Sequence, residues 1–313
     1  MKVIQVQAPG PFTTVQDLGR EGFGPLGISP SGAADPISLR LGNRLVGNAE
    51  SAAALEMTLH GGAFLFPEGA IVALTGSDFG ATLDGAPVEL WASVEASPGQ
   101  TLRLGPTRSG ARCYLCVHGG IIVKPFLSSA STHILSGLGG LDGGPLRKGD
   151  TLTVASASAP FRKRTLAPHA LERLSPRKVL RVTPGPQSDW FPESSRDLFY
   201  TGAYRVAEES NRMGLRLEGM PILGRSGGQM ITEGVSLGAI QIPNGGLPII
   251  LFVEQQTTGG YPKIANVISA DLAGVGQLRP RDELRFEPIG WEQARSLLQE
   301  QEKLLAAEEL ILG

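Results

Sequence analysis

Short apolar runs separated by turns rich in glycine and proline fill the first half of the chain. Residues 1–7 alternate apolar and polar side chains, which predicts a strand that begins the fold. Further strands are predicted at residues 63–66, 71–74, 81–83, 102–104, 113–118 and 151–154. We therefore expect a β-rich lobe over residues 1–155.

One helix interrupts this lobe. Asp35 is a good N-cap residue, and Pro36 suits the first helical turn. The apolar residues Ile37, Leu41 and Leu45 then recur at helical spacing. The pattern predicts a short helix with one face packed on the sheet.

The second half repeats the β-rich pattern after a break. Small residues, a basic cluster and prolines predict a linker over residues 156–177, followed by a strand at 178–182 and a second lobe over 178–288. Another strand is predicted over the apolar run 248–253. From Trp291, with Ala294, Leu298 and Leu305 on one stripe, the pattern predicts an amphipathic helix within residues 289–313.

The two lobes end alike. Gly119-Gly120 leads to a basic turn at 147–150, and Gly259-Gly260 leads at a similar distance to a basic turn at 279–282. This similarity indicates a faint internal duplication. We therefore predict a mainly β protein with few helices, built as two β-barrel-like lobes of related topology.

Composition narrows the function classes. The chain has 313 residues, 41% of them hydrophobic, with a net charge of -2, so neither a nucleic-acid surface nor a polybasic membrane patch is indicated. The sequence contains no apolar run long enough to predict a transmembrane helix, and its N-terminus lacks a signal-peptide pattern. We therefore expect a cytoplasmic protein. The four histidines show no metal-ligand spacing. Cys113 and Cys116 lie in a predicted strand, where residues three apart face opposite sides, so we expect neither a disulfide nor a shared metal.

The segment 255–265 carries the strongest chemical signal. Thr257, Thr258, Gly259 and Gly260 follow a predicted buried strand and can present hydroxyl and amide donors to an anion or a polarised carbonyl oxygen. Lys263 would then be the partner for negative charge. The alternative is a tight strand connection with a solvated lysine.

A second group of candidates lies near the N-terminus. Gln16, Asp17 and Arg20 occupy a glycine-rich loop of the kind that often displays functional residues. The alternative is an Asp17–Arg20 ion pair that holds the loop. Asn43 and Arg44, on a polar face of the predicted helix, would line a subunit interface or a ligand groove.

Two further charged residues remain open between two roles. Glu233 lies between Ile231 and Val235, where a carboxylate acts either in proton transfer or in a structural ion pair. Glu56, which follows the apolar residues 52–55, is open between the same two roles. Arg212 is a candidate for the partner charge of either carboxylate and for substrate binding. Asp271 is expected to cap the short helix that follows it.

Short motifs distributed along the chain resemble one known family. They lie in collinear order at residues 15–20, 31–35, 42–48, 54–56, 74–79, 119–121, 184–187, 211–214, 233–234, 238–241, 256–263 and 269–271. The pattern is similar to that of the carboxyltransferase/allophanate hydrolase subunit 2 family over residues 1 to about 288. The resemblance implies two cyclophilin-like β-barrel lobes. It also favours a functional role for the 256–263 segment, with Gln256 as a catalytic candidate and Tyr261 as a substrate-binding one.

The resemblance implies three functional alternatives. Members of the family are C subunits of bacterial ATP-dependent 5-oxoprolinase, which would convert 5-oxoproline to glutamate together with subunits A and B. A related module forms part of the carboxyltransferase domain of urea carboxylase, which implies biotin-dependent carboxyl transfer to an amide such as urea. The chain has no Met-Lys-Met biotinylation motif, so a carrier would be a separate protein. The third alternative is a non-enzymatic regulatory partner of a kinase inhibitor-like protein.

Overall fold

A computed structural model describes residues 1–156, 161–224 and 230–313. Two compact units are formed, one by residues 1–20, 31–174 and 305–313 and the other by residues 21–30 and 175–304. The predicted linker at 156–177 falls partly on residues 157–160, which lie outside the described residues. Its later part belongs to the first unit, where Leu166 and Ala170 are buried.

Strands dominate both units. In chain order they are β1 (Lys2–Ala8), β2 (Thr13–Gln16), β3 (Ala54–Thr58), β4 (Ala63–Phe66), β5 (Ala70–Gly76), β6 (Thr82–Leu83), β7 (Ala86–Pro87), β8 (Ser93–Ala96), β9 (Gln100–Arg103), β10 (Arg112–Val117), β11 (Ile121–Ile122), β12 (Thr151–Val154), β13 (Thr165–Leu166), β14 (Val179–Pro184), β15 (Tyr204–Val206), β16 (Gly214–Glu218), β17 (Glu233–Gly234), β18 (Ala239–Gln241), β19 (Ile249–Leu251), β20 (Thr258–Gly259), β21 (Lys263–Val267), β22 (Glu283–Pro288) and β23 (Ile311–Leu312). The α-helices are α1 (Pro36–Leu45), α2 (Pro168–Leu174), α3 (Glu193–Thr201), α4 (Leu272–Gly276) and α5 (Trp291–Ala306). The prediction of a mainly β chain is confirmed.

The first unit contains two large sheets around one apolar core. The seven-stranded sheet has the order β11-β12-β1-β4-β9-β6-β7, and the five-stranded sheet has the order β2-β3-β10-β5-β8. Inward-facing side chains of both sheets, such as Phe64, Leu102 and Leu115, form the core between them. Most strands of this unit therefore lie in the two large sheets, and β13 and β23 form a separate pair. Closure into a single barrel occurs in the second unit.

The central strand β10 is buried on both faces, which explains the environment of the two cysteines. Cys113 packs in the core between the sheets, whereas Cys116 packs with Leu39 and Leu45 of α1 on the other face. Both thiols are free, and burial raises the pKa of each well above its ordinary value. The expectation that the two cysteines face opposite sides of the strand is confirmed.

The second unit is a closed barrel with the strand order β14-β21-β18-β19-β16-β15-β22. Strand β14 runs parallel to β22 and antiparallel to β21, and the other neighbouring pairs are antiparallel. Stacked rings of Phe199 and Phe286, with centroids 4.6 Å apart, join α3 to the barrel wall. A closed barrel leaves no free sheet edge, so it is a rigid frame for side chains at its strand ends.

The two basic turns that indicated a duplication have the same local construction. The backbone N–H of Arg147 donates to the Asp150 carboxylate at 2.6 Å, and that of Arg279 donates to the Asp282 carboxylate at 2.9 Å. The third residue of each turn is left-handed, Gly149 with φ +94° and Arg281 with φ +71°. The resemblance between the lobes therefore extends to hydrogen bonding at this position.

Helix ends support some predictions and correct others. Asp35 caps α1, since its carboxylate accepts the Ser38 N–H at 3.0 Å. Asp271 does not cap α4 with its side chain, and its carboxylate instead accepts hydrogen bonds from the Arg181 backbone N–H at 2.8 Å and from the Arg181 guanidinium. Trp291 is 68% exposed, so its predicted place on the buried stripe is wrong. It starts α5, where the helix has not yet reached the apolar cluster that contacts Ala294 and Leu297.

Candidate active site

The 256–263 segment forms part of a small ribbon in the second unit. Strand β20 pairs with β17, so that Gly259 lies opposite Glu233 and Thr258 lies opposite Gly234. The Thr257 carbonyl accepts the Val235 N–H at 3.1 Å. The pairing brings the predicted donor segment directly to Glu233.

Lys263 and Glu233 form the ionic centre of the site. The Lys263 ammonium, whose side chain is only 4% exposed, bonds to Oε1 of Glu233, which is 45% exposed. A solvated lysine, the alternative reading of the sequence, is therefore wrong. The charge is held on a barrel strand, because Lys263 is the first residue of β21.

Gln187 joins both residues of this ion pair. Its Nε2 donates to Glu233 Oε1 at 2.9 Å, and its Oε1 accepts the Lys263 backbone N–H at 3.2 Å. Hydrogen bonds from Lys263 and then from Gln187 lower the pKa of the Glu233 carboxyl below its ordinary value, although partial desolvation opposes the shift. Glu233 is therefore a carboxylate at neutral pH, held by two donors on one oxygen.

Gln241 completes the cluster from the neighbouring strand. It is 1% exposed, lies opposite Lys263 in the register of β18 and β21, and accepts a hydrogen bond from Gln256 Nε2 on its Oε1 at 3.3 Å. Its Nε2 lies beside Gly259, where a Cβ would come within 2.4 Å. Strand register thus makes Gln241 a neighbour of Lys263 and Gly259 a neighbour of Glu233, and the Lys263–Glu233 ion pair joins the two strand pairs.

The structure adds two residues that were absent from our candidates. Gln187 and Gln241 both end motifs that carried the family resemblance, at 184–187 and 238–241. Each is a polar residue that is more than nine-tenths buried, with relative exposures of 8% and 1%. A polar residue at the end of an apolar strand was the available signal, since a buried amide must find hydrogen-bond partners.

Arg212 has a different partner from the one we expected. Its guanidinium forms an ion pair with Glu254, and the side chains are 5% and 2% exposed. The backbone N–H of Glu254 also donates to the Arg212 carbonyl at 2.8 Å. The pairing of Arg212 with Glu233 is therefore wrong, because Lys263 occupies that position. Gly260 and Tyr261 are exposed on the ribbon beyond the cluster.

Asp17 and its neighbours hold a loop of the first unit. The Asp17 carboxylate accepts hydrogen bonds from the Gly19 N–H at 2.7 Å, the Ser129 hydroxyl at 2.7 Å, the Ala130 N–H at 2.6 Å and the Ser131 hydroxyl at 2.5 Å. This network joins two distant parts of the sequence. These hydrogen bonds explain the position of Asp17 by a structural role, which is to hold the loop.

Gln16 and Arg20 contact the same region. Gln16 is fully buried, and its Nε2 donates to the Thr132 carbonyl at 3.2 Å. Arg20 is 2% exposed, donates to the Ser131 carbonyl, and places its guanidinium carbon 5.5 Å from the centre of the Phe126 ring. Both side chains therefore stabilise the loop that Asp17 holds.

Asn43 and Arg44 connect α1 to neighbouring chain segments. Asn43 is fully buried, and its Nδ2 donates to the Ala52 carbonyl at 2.7 Å. Arg44 donates to the Leu305 carbonyl and, at 3.2 Å, to the Ala307 carbonyl. Arg44 also lines a surface cavity of about 330 Å³. The five N-terminal candidates belong to the first unit and the ribbon candidates to the second.

The cluster in the second unit combines three kinds of chemical group: an ammonium, side-chain amides and a carboxylate. A buried ammonium and amide groups donate hydrogen bonds to oxygen, and a carboxylate accepts a proton or an N–H bond. In the described parts of the chain, no group of three or more His, Cys, Asp or Glu residues is arranged to hold a metal ion. Nor does any helix in those parts have the length and apolar character needed to cross a membrane.

Similarity to known proteins supports the relationship indicated by the motifs. Residues 26–288 match the family described as carboxyltransferase domain, subdomain A and B. The C subunit of the Escherichia coli 5-oxoprolinase is 36% identical over 301 residues, which cover 96% of this chain and 96% of that protein. The corresponding protein of Haemophilus influenzae is 35% identical over 289 residues, with 92% of each chain covered.

A solved structure extends the comparison to the fold. The urea amidolyase of K. lactis superimposes with a TM-score of 0.91 at 34% sequence identity, covering 99% of this chain but 21% of that one. The urea amidolyase of Saccharomyces cerevisiae is 36% identical over 320 residues, which are 17% of its length. Sequence and fold agree over nearly the whole chain, which therefore belongs to the carboxyltransferase domain, subdomain A and B, family.

Proposed function

We propose that this chain is the C subunit of an ATP-dependent 5-oxoprolinase that works with subunits A and B to convert 5-oxoproline to glutamate. Two relatives bear that name and align over 92% and 96% of their own length. The urea amidolyase relatives, in contrast, contain the matching region as 17% of a much longer chain. The match to the two 5-oxoprolinase subunits therefore extends over nearly all of each relative.

The observation that carries the proposal is the Lys263–Glu233–Gln187 cluster. The lactam of 5-oxoproline is stabilised by amide resonance, which makes its carbonyl carbon a poor electrophile. An ammonium and amide donors near the carbonyl oxygen stabilise the negative charge that develops there during attack. In this proposal the Glu233 carboxylate accepts a proton from the attacking water.

The overall reaction balances with ATP as a co-substrate. 5-Oxoproline, ATP and two waters give glutamate, ADP and phosphate, with the lactam C–N bond broken and the ring nitrogen protonated. ATP dependence is proposed for the assembled enzyme, because this chain has no Gly-x-x-x-x-Gly-Lys-Ser/Thr phosphate loop. In this assignment Lys263 and Glu233 are catalytic, Gln256, Thr257 and Thr258 support them, and Gly259, Gly260 and Tyr261 border the bound substrate.

Reconstitution tests the assignment. The chain is mixed with subunits A and B, and phosphate release is measured with and without 5-oxoproline. We expect release that depends on 5-oxoproline, and a loss of about 100-fold or more in Lys263→Gln and Glu233→Gln, the range for removing a positioned acid–base group. Lys178→Gln, which changes an exposed lysine in the same unit, is the matched control. No substrate-dependent release from the wild-type mixture would reject the proposal.

The family assignment and the solved urea amidolyase support one alternative, a carboxyltransferase subunit that moves a carboxyl group from biotin to an amide such as urea. The biotin would then be carried by a separate protein. Recovery of a biotinylated partner with the tagged chain, together with urea-dependent carboxylation, would favour this alternative. 5-Oxoproline-dependent phosphate release with no such partner would favour the first.

A further inference from the structure

We propose that Gln241, Lys263 and Glu233 form an amide-reading subsite, which binds the C=O and the N–H of one amide group at the same time. The inference deepens the proposed function and rests on it for the identity of the amide as a lactam. None of the comparisons assigns a role to Gln241. The orientation of its side chain is the first observation that supports the subsite.

The amide nitrogen of the Gln241 side chain is a hydrogen-bond donor that makes no described hydrogen bond. Its Oε1 accepts a hydrogen bond from Gln256 Nε2 at 3.3 Å, so the amide nitrogen is directed elsewhere. That nitrogen is buried and has no hydrogen-bond partner among the described residues. Buried amide donors are almost always paired, and leaving one unpaired is costly. An amide kept here with an unused donor therefore points to an oxygen acceptor that arrives from outside the protein.

Gly259 lets the ribbon lie directly against the Gln241 amide. A Cβ at this position would lie 2.4 Å from Gln241 Nε2 and 3.1 Å from a methyl carbon of Val235. Gly259 has no such atom, so the buried amide nitrogen packs against the ribbon at this point. By contrast, the nearest atom to a Cβ at Gly260 would be 3.5 Å away. The close approach is therefore specific to the glycine beside Gln241.

Lys263 supplies a second donor from the neighbouring strand. It lies opposite Gln241 in the strand register, and its ammonium carries three N–H bonds, one of which is directed to Glu233 Oε1. A neutral and a charged donor side by side favour a polarised oxygen, such as that of an amide or a carboxylate.

Glu233 supplies the complementary acceptor. Both of its described hydrogen bonds, from Lys263 and from Gln187, end on Oε1. Oε2 therefore keeps its lone pairs on a side chain that is 45% exposed. The N–H group adjacent to the bound C=O would donate a hydrogen bond to Glu233 Oε2. Donors for C=O beside an acceptor for N–H select an amide over an ester or a simple carboxylate, because those groups have no N–H.

Ligand binding tests the subsite directly. Calorimetry on the wild-type complex compares 5-oxoproline with its N-methyl derivative, in which the N–H is replaced, and with proline, in which the C=O is missing. We expect both analogues to bind at least tenfold more weakly. Equal binding of the N-methyl derivative would overturn the role of Glu233, and equal binding of proline would overturn that of the donors.

Gln241→Leu separates a binding role from a structural one. We expect its KM for 5-oxoproline to rise at least tenfold while the urea midpoint of unfolding stays unchanged or increases, because the variant removes an unpaired buried amide. Gln299→Leu, on the exposed face of α5, is the control for a surface change. A lowered midpoint with an unchanged KM would overturn the proposal.

A crystal structure of the complex gives a readout that does not depend on activity. An ordered water or ligand oxygen within hydrogen-bond distance of Gln241 Nε2 is expected, whereas a protein acceptor at that nitrogen would refute the subsite. If the complex releases phosphate with 5-oxoproline but the Gln241 variant binds it normally, the subsite fails and the function stands. If there is no such release but the oxygen of bound urea lies at Gln241 Nε2, the function fails and the subsite stands.

Discussion

Lys263 and Glu233 form an ion pair whose two ends lie in different surroundings. The lysine side chain is 4% exposed and the glutamate side chain is 45% exposed. The positive charge is therefore held inside the barrel wall, while the carboxylate faces outward from the ribbon. This asymmetry connects a buried cation of the barrel wall to an accessible carboxylate.

The first prediction concerns the ionisation of Glu233. Lys263→Met removes the main cause of its lowered pKa, so the pKa should rise toward the ordinary value of 4.5. In the wild type, the stability from this group is fully present above that ordinary value and is lost as the pH falls through the lower pKa of the folded state. Carbon-detected NMR titration of the Glu233 carboxyl measures the shift. An unchanged titration would show that Lys263 does not hold the carboxylate.

The second prediction concerns two adjacent glycines. Gly259→Ala places a methyl group 2.4 Å from Gln241 Nε2, which must displace the amide, whereas Gly260→Ala meets its nearest atom, the Thr232 hydroxyl oxygen, at 3.5 Å. We expect Gly259→Ala to lower kcat/KM for 5-oxoproline in the reconstituted complex by about tenfold or more, which corresponds to at least about 1.4 kcal/mol. Gly260→Ala should have a smaller effect, because its methyl group meets no atom at less than 3.5 Å. Equal effects of the two variants would contradict the role of the close approach.

The third prediction concerns the buried ion pair of Arg212 and Glu254. Removing one partner from a pair with exposures of 5% and 2% leaves an uncompensated charge in the interior. We expect Arg212→Ala to lower the free energy of unfolding by about 3–5 kcal/mol. Arg205→Ala breaks an exposed pair with Glu218 and should cost less than about 1 kcal/mol. Urea unfolding followed by circular dichroism measures both variants, and similar losses in the two would contradict a buried structural pair.

The fourth prediction concerns Asp17 in the first unit. Asp17→Ala removes the acceptor of hydrogen bonds from Gly19, Ser129, Ala130 and Ser131. Because hydrogen bonds to a charged group are worth about 1.5–3 kcal/mol each and are not additive, we expect a loss of about 3 kcal/mol in unfolding free energy. Glu95→Ala, at an exposed carboxylate of the same unit, should stay within about 0.5 kcal/mol of wild type. Unchanged stability with lost activity would favour the substrate-binding hypothesis for Asp17.

Local pattern was sufficient to predict many elements. The strands at 63–66 and 151–154 have the predicted bounds, and Asp35 caps α1 as expected. These features depend on neighbouring residues, since alternation of apolar side chains and N-cap chemistry act over a few positions. The motifs likewise identified the family over most of the chain.

Partnerships between distant residues were decided by the tertiary structure. Lys263 reaches Glu233 across 30 positions, and Arg212 reaches Glu254 across 42 positions. The sequence offered several acidic partners for each cation, and strand pairing selected between them. The tertiary structure also placed Gly259 beside Gln241 and left the amide nitrogen of Gln241 without a hydrogen-bond partner among the described residues.

The amino-acid sequence by itself determined the β-rich character and the family, and it indicated the segment to which we assign the chemistry. Only the tertiary structure decided which charges meet, which amide donor has no partner among the described residues and which glycine packs against that amide. The physical reason is that strand propensity and capping are local, whereas ion pairing and burial depend on which strands become neighbours when the sheet closes.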